Sequence, residues 1–206
     1  MPTPPILVET DGPVRTIIIN RPDKRNAVDR PTADALRDAF QAFEEDDSVS
    51  VAVLTGAGGN FCAGADLKER RTMPEDMVPQ FVRQIRATMD DIAALPQPTI
   101  AAMNGHAFGG GCEMALACDI IIAAESARFA LPEPKVGLAA LGGGLHRLPR
   151  MIGLKQAMGM ILTGRAVSAA DGAAMGFVTD VVPDGEALPA ARKWAEQIID
   201  CSPVSI

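Results

Sequence analysis

Apolar positions along this chain recur with two periods. Residues 14–20, Val-Arg-Thr-Ile-Ile-Ile-Asn, are short and β-branched, which predicts a buried strand closed by the turn Asn20-Arg21-Pro22-Asp23. From Pro31 to Glu45 the apolar residues Ala35, Leu36, Ala39, Phe40 and Phe43 return every three or four places, the stripe of an amphipathic helix. A strand over Val49–Leu54 follows and runs into Thr55-Gly-Ala-Gly-Gly-Asn, a loop that only small residues permit. Residues 75–95 form a second amphipathic helix with Phe81, Val82, Ile85, Met89, Ile92 and Leu95 on one face, stopped by Pro96 and Pro98. A strand over Thr99–Asn104, a glycine-initiated helix over Gly109–Cys118 and a strand over Asp119–Ala124 come next. Helices over Leu148–Thr163, Ser168–Met175 and Glu186–Cys201, with a short strand Val178–Val182, complete the chain. Strand and helix in repeated alternation is the pattern of an α/β fold.

Hydrophobic residues make up 48% of the 206 positions, enough to bury one core without disulfides or metal, so a single domain over residues 1–206 is expected. With 26 acidic against 19 basic residues the net charge is −7, and no cationic field exists to hold a nucleic-acid backbone. Cys62, Cys112, Cys118 and Cys201 form no C-x-x-C pair, and His106 and His146 are the only histidines to join them. No metal site is expected, and three of the four thiols read as small packed residues of a reduced, cytoplasmic protein. The N-terminus carries neither a basic region before an apolar run nor an Arg-rich amphipathic stretch. Gly, Pro or charge breaks every apolar stretch short of the roughly 20 residues of a membrane span, so a soluble protein is expected.

Common catalytic templates fail. After Leu54 the Gly56-x-Gly58 pattern meets Phe61 where a dinucleotide fingerprint needs glycine, and there is no phosphate loop, Gly-x-Ser-x-Gly or His-Glu-x-x-His. Two segments resist explanation by packing: Phe61-Cys-Ala-Gly-Ala-Asp-Leu-Lys-Glu and Asn104-Gly-His-Ala-Phe-Gly-Gly-Gly-Cys-Glu. Each puts small residues where a helix begins and backbone N–H groups lack partners. If Ala65 and Gly110 face each other across a cleft, their amides can hold one oxygen, and the lack of bulk lets a thioester carbonyl approach. Glu113, three residues after Gly110, returns to the same helix face; as a first-turn acid it would equally suit the positive helix end. Glu133 lies in Leu131-Pro132-Glu133-Pro134, where Pro132 fixes its own φ and Pro134 pushes Glu133 toward extended geometry. An acid on a surface turn would look the same.

On these residues the chain resembles the enoyl-CoA hydratase/isomerase, or crotonase, family. The resemblance runs through Asn20-Arg-Pro, Asn26-Ala, Phe61-Cys-Ala-Gly-Ala-Asp-Leu-Lys-Glu, Pro98-Thr-Ile-Ala-Ala-Met-Asn-Gly, Gly109-Gly-Gly-Cys-Glu, Cys118-Asp, Leu131-Pro-Glu and Leu162-Thr-Gly, and covers nearly the whole chain. It implies a spiral of repeated ββα units over residues 1–185, with 186–206 beginning a C-terminal helical region. It implies an acyl-CoA thioester substrate, with coenzyme A part of that substrate and no separate cofactor. It also implies an oxyanion hole from the Ala65 and Gly110 amides, Glu113 and Glu133 as catalytic acids, and a CoA-contacting segment Ala65-Asp66-Leu67-Lys68 with Lys68 near the nucleotide phosphates. Having both glutamates favours hydration of a 2-enoyl-CoA; an isomerase or another crotonase-type lyase or hydrolase works from the same oxyanion hole. Glu133 is assigned as the protonated acid and Glu113 as the water-binding partner.

Two departures from the family stand out. Hydratases carry a Pro-Gly-x-Gly-Gly-Thr-Gln-like segment where this chain has Ala140-Leu141-Gly142-Gly143-Gly144-Leu145-His146, a change that bears on substrate shape and reaction. His146 and His106 read as solvated or packing residues. Family members also continue past this point into helices that cap the cleft and build trimer contacts, so further C-terminal residues and a homotrimer or dimer of trimers are expected.

Overall fold

The computed structural model describes residues 3–206. In chain order the elements are β1 (Ile6–Asp11), β2 (Val14–Ile19), α1 (Arg30–Glu44), β3 (Val51–Gly56), β4 (Asn60–Cys62), α2 (Leu67–Thr72), α3 (Val78–Ala94), β5 (Thr99–Met103), β6 (His106–Phe108) and α4 (Gly110–Ala117). They continue with β7 (Ile120–Ala124), β8 (Arg128–Ala130), α5 (Gly144–Ile152), α6 (Leu154–Thr163), β9 (Val167–Ser168), α7 (Ala169–Met175), β10 (Asp180–Val182) and α8 (Ala187–Ile199). Six strands form one sheet in the order β1-β2-β3-β5-β7-β10, and four form a smaller one in the order β4-β6-β8-β9. From β3 to α6 each turn of chain lays one strand in the large sheet and one in the small sheet, then crosses back by helix. That is the expected spiral of ββα units.

The large sheet is parallel except for β1 at its edge. As a parallel sheet should be, it is covered on both faces. Ile17, Ile19, Ala52, Leu54, Ala101 and Met103 face the main core, where Leu36, Phe40 and Phe43 of α1 pack. Alternate residues Val14, Val51, Val53, Ile100, Ala102 and Ile122 face α8 through Ala191 and Ala195. The stripe predicted on α1 is therefore its buried face, and its start is capped by the Asp29 carboxylate accepting from Thr32 N at 3.0 Å.

Several expectations shift. The predicted helix Leu148–Thr163 is two helices, α5 and α6, because Gly153 takes φ 79° between them and no helix passes through that conformation. The stretch 75–95 opens with a single 3-10 turn, Glu75–Met77, and becomes α-helical with Pro79 in its first turn, where a missing N–H costs nothing. The strand expected at Val49–Leu54 slides to Val51–Gly56. The hairpin partner β1 was not anticipated: it is an edge strand whose last four residues are exposed, which removes the apolar signal. Among the described residues no helix is long and apolar enough to cross a membrane.

Asn26 ties the first turn of the spiral together. It is fully buried at φ 57°, its side-chain amide donates to Ala57 O (2.9 Å) and Asn60 O (2.8 Å), and its Oδ1 accepts from Arg21 N (2.9 Å). Arg21 in turn donates to Ala27 O and pairs with Asp29 (2.8 Å) and Asp66 (3.3 Å). Replacing Asn26 with Ala strands three part-buried backbone groups and leaves a β-carbon side chain in left-handed geometry. We expect Asn26→Ala to lower the unfolding free energy by roughly 3 kcal/mol in urea titrations.

Candidate active site

The small sheet decides what meets at the cleft. β4 pairs in parallel with β6 (Asn60↔His106, Cys62↔Ala107), and β6 with β8 (Ala107↔Phe129, Phe108↔Ala130). Parallel neighbours end at the same edge, so the segments that follow them, Ala63–Asp66, Gly109–Gly110 and Leu131–Glu133, emerge side by side. Close approach is possible because side chains are absent. Gly64 sits at φ 95° against the Phe108 carbonyl, and a side chain on Gly111 would collide with the carbonyl of Cys62.

Ala65 is bridged to Val28 through its neighbours: Val28 N donates to Gly64 O (2.8 Å) and Asp66 N donates to Val28 O (2.8 Å). In such a bridge the Ala65 amide points the other way, into the cleft. Gly110 opens α4, so its N–H has no intrahelical acceptor. The two amides are neighbours: a methyl placed on Gly110 would lie 3.7 Å from Ala65 N. The two backbone nitrogens therefore lie close together, and both residues line the cleft.

Both glutamates line the same cleft of about 140 Å³, whose walls are mainly apolar: Leu67, Phe81, Val82, Ile85, Leu138 and Leu141. Glu113, on the first turn of α4, is only 4% exposed. Its Oε1 accepts from Gly144 N at 3.0 Å. Burial pushes its carboxyl up to about 7; the Gly144 amide opposes this, the Glu133 carboxylate adds to it, and the Gly142 amide and Arg147 oppose it. Glu133 is also raised, by burial, and its Oε2 is buried with no hydrogen-bond partner among the described residues. Glu133 is not extended, as the flanking prolines predicted; it begins a 3-10 turn, Glu133–Val136, closed by Gly137 in left-handed geometry. Pro134 fits that turn's opening, where its missing N–H leaves no gap, and the carboxyl still stands over Gly109.

A family-wide profile, Enoyl-CoA hydratase/isomerase, matches residues 9–206. The chain belongs to that family. It is 42% identical over 205 residues to the Homo sapiens "Enoyl-CoA hydratase domain-containing protein 2, mitochondrial", covering 97% of this chain and 70% of that protein. The "Carnitinyl-CoA dehydratase" of Salmonella paratyphi A is 40% identical over 200 residues, covering 95% of this chain and 75% of that one. The crystal structure of an enoyl-CoA hydratase from Bacillus anthracis superimposes with a TM-score of 0.94 at 42% identity, over 97% of this chain and 78% of that chain.

In this member of the enoyl-CoA hydratase/isomerase family, Ala65, Leu67, Gly110, Glu113 and Glu133 share the cleft, whereas Asp66 and Lys68 stand off its lining. The Asp66 carboxylate caps α2, accepting from Lys68 N at 3.0 Å, and pairs with Arg21; Lys68 is exposed. His146 is exposed on α5, and His106 is exposed and stacked on Phe108, so neither histidine reaches the carboxyls. Cys62 and Cys118 are buried and pushed up to about 12, and Cys112 higher still, which makes them packing residues rather than nucleophiles. The sequence reading missed the loop Gly142–Gly144 as the cradle of Glu113, and Arg70 and Arg86 on the cleft wall. The glycine triplet itself was the available signal for the cradle.

Since the Glu113 value in the fold lies above the ordinary 4.5, the fold favours the protonated form. That contribution to stability is complete below pH 4.5 and is lost as pH rises through about 7. Glu113→Gln cannot ionise, so it should melt above the wild type at pH values past 7. Its advantage should shrink toward zero as the pH falls to 4.5, a trend that thermal melts across a pH series would record.

Proposed function

We propose that this chain is an enoyl-CoA hydratase, adding water reversibly across the 2,3 double bond of a 2-enoyl-CoA to give a 3-hydroxyacyl-CoA. The observation that carries the reading is the meeting of two unpaired main-chain amides and two carboxyls in one apolar cleft. Attack of water at C3 moves electron density onto the thioester oxygen. The amides of Ala65 and Gly110 hold that oxygen where the charge develops, and loss of one such donor costs roughly 100- to 1,000-fold in comparable sites.

The carboxyls divide the proton work. Burial raises both, and Glu113, at about 7, still ionises at and above neutral pH. Donated N–H bonds favour an ionised acceptor, so Glu113, held by the loop amides, takes the water proton. Glu133, also raised by burial and with an Oε2 that meets no donor among the described residues, carries a proton and delivers it to C2. The proton left on Glu113 then returns to Glu133 and the site is reset. The apolar walls receive the acyl chain, and the segment from Ala65 to Lys68 lies along coenzyme A, with Lys68 toward its phosphates. Coenzyme A comes and goes with the substrate, and no other cofactor is needed for this addition. The working form is a homotrimer or a dimer of trimers.

Loss of enoyl-thioester absorbance with crotonyl-CoA tests the reading. Glu113→Gln and Glu133→Gln should each lower kcat by roughly 100- to 10,000-fold. Gly110→Ala should fold normally, since its methyl meets nothing closer than 3.6 Å, yet lower kcat/KM by roughly 100-fold by filling the space before Ala65 N. A fully active Glu113→Gln would instead favour an isomerase, which works with one carboxylate.

A further inference from the structure

The turn that carries Gly142 and runs into Gly144, the first residue of α5, must hold Glu113 to within hydrogen-bond tolerance. Arg147, on the first turn of α5, is what fastens it. Its Nη1 donates to Gly142 O at 3.0 Å, and its Nη2 donates to Met89 O at 3.5 Å and to Asp90 Oδ1 at 3.2 Å. The guanidinium is only 14% exposed and lies where a side chain on Gly143 would be, so the glycine at that position admits it. Met89 and Asp90 belong to α3, the helix that supplies Phe81, Val82 and Ile85 to the cleft. Asp90 is shared with Arg86 (3.3 Å), itself on the cleft wall. One planar fork thus bridges the acyl-lining helix and the loop whose amides orient the Glu113 carboxyl, a task for which a point charge on a flexible stem is no substitute.

We propose that Arg147 is a positioning residue for Glu113: by holding Gly142 O and Asp90 together it fixes the glycine loop, and with it the direction in which the Glu113 carboxyl presents its free oxygen to the cleft. The inference rests on the reading of Glu113 as the water-binding carboxylate. The charged groups around Glu113 are Glu133 on the 3-10 turn, Arg147 on α5, Arg86 and Asp90 on α3, and Arg70 on α2. Of the two nearest, Glu133 raises its titration and Arg147 lowers it. Removing Arg147 therefore moves the ionisation of Glu113 to higher pH, both by loss of its charge and by release of the amides that favour the carboxylate.

The test compares wild type with Arg147→Gln, Arg147→Lys and Asp90→Asn. It reads kcat and KM with crotonyl-CoA, the melting temperature, and the ¹³C titration of the Glu113 carboxyl, assigned through Glu113→Gln. Arg147→Gln should lower kcat roughly 100-fold with KM within about threefold, and raise the Glu113 midpoint. Arg147→Lys should leave kcat low, because the bridge and not the charge is missing. Asp90→Asn, which loosens only the outer anchor, should lower kcat by about tenfold. A lower melting temperature with wild-type kcat and an unmoved Glu113 midpoint would reduce Arg147 to a structural residue, as would full rescue by lysine. Should Arg147→Gln fail to fold, unchanged kcat and midpoint in Asp90→Asn overturn the proposal equally. A wild type that does not hydrate crotonyl-CoA sinks the hydratase reading, while the carboxyl titration still decides the role of Arg147.

Discussion

Parallel pairing in the four-stranded sheet is the constraint on which the site depends. Three strands of three residues each, one from each successive turn of the spiral, lie parallel, with one irregularity between Asn60 and Cys62, and whatever follows them arrives at a common edge. No side chain needs to select its neighbour across 45 or 70 positions of sequence. The chain need only wind regularly, and the large sheet enforces that by burying apolar residues on both faces. Small residues at 64, 110 and 111 then let the emerging segments close to backbone distance. The meeting of these backbone segments is thus a by-product of how the coil stacks, reinforced by the Arg21 pairs to Asp29 and Asp66 on one side of it.

The carboxyls are set up differently. Glu113 belongs to a helix of small, buried residues and takes its character from a loop that arrives 30 positions later. Desolvation drives its proton affinity up, and amide donors partly restrain it, so the balance rests on loop placement to within an ångström. Glu133 stands on a proline-framed turn with one oxygen that meets no donor among the described residues. Two acids of the same kind therefore receive unequal surroundings, which is the physical requirement for one to hold a proton while the other gives it up.

Much of this was legible in the order of residues. The buried runs of β2, β3, β5 and β7 and the stripes of α1 and α3 carry strong periodic signals, and the small residues ahead of Asp66 and Cys112 pointed to backbone rather than side-chain chemistry. Three-residue strands such as β4, β6 and β8 are too short for any period to show, so the sheet that assembles the site emerged only through family resemblance. The break at Gly153 was masked by apolar residues on both sides. The proline rule misplaced Glu133 because a bias against helical geometry is small beside closure of a hydrogen-bonded turn. Little local marks Arg147, because two of its three partners, a backbone carbonyl and a carboxylate, lie on an element more than 50 positions earlier.

The cleft-lining amides of Ala65 and Gly110 belong to the main chain, and this has a consequence for how such a scaffold can change over evolutionary time. No single codon change can delete a peptide N–H short of introducing proline. Substitutions can therefore accumulate in the walls and at the two acids, while these two main-chain donors are inherited intact.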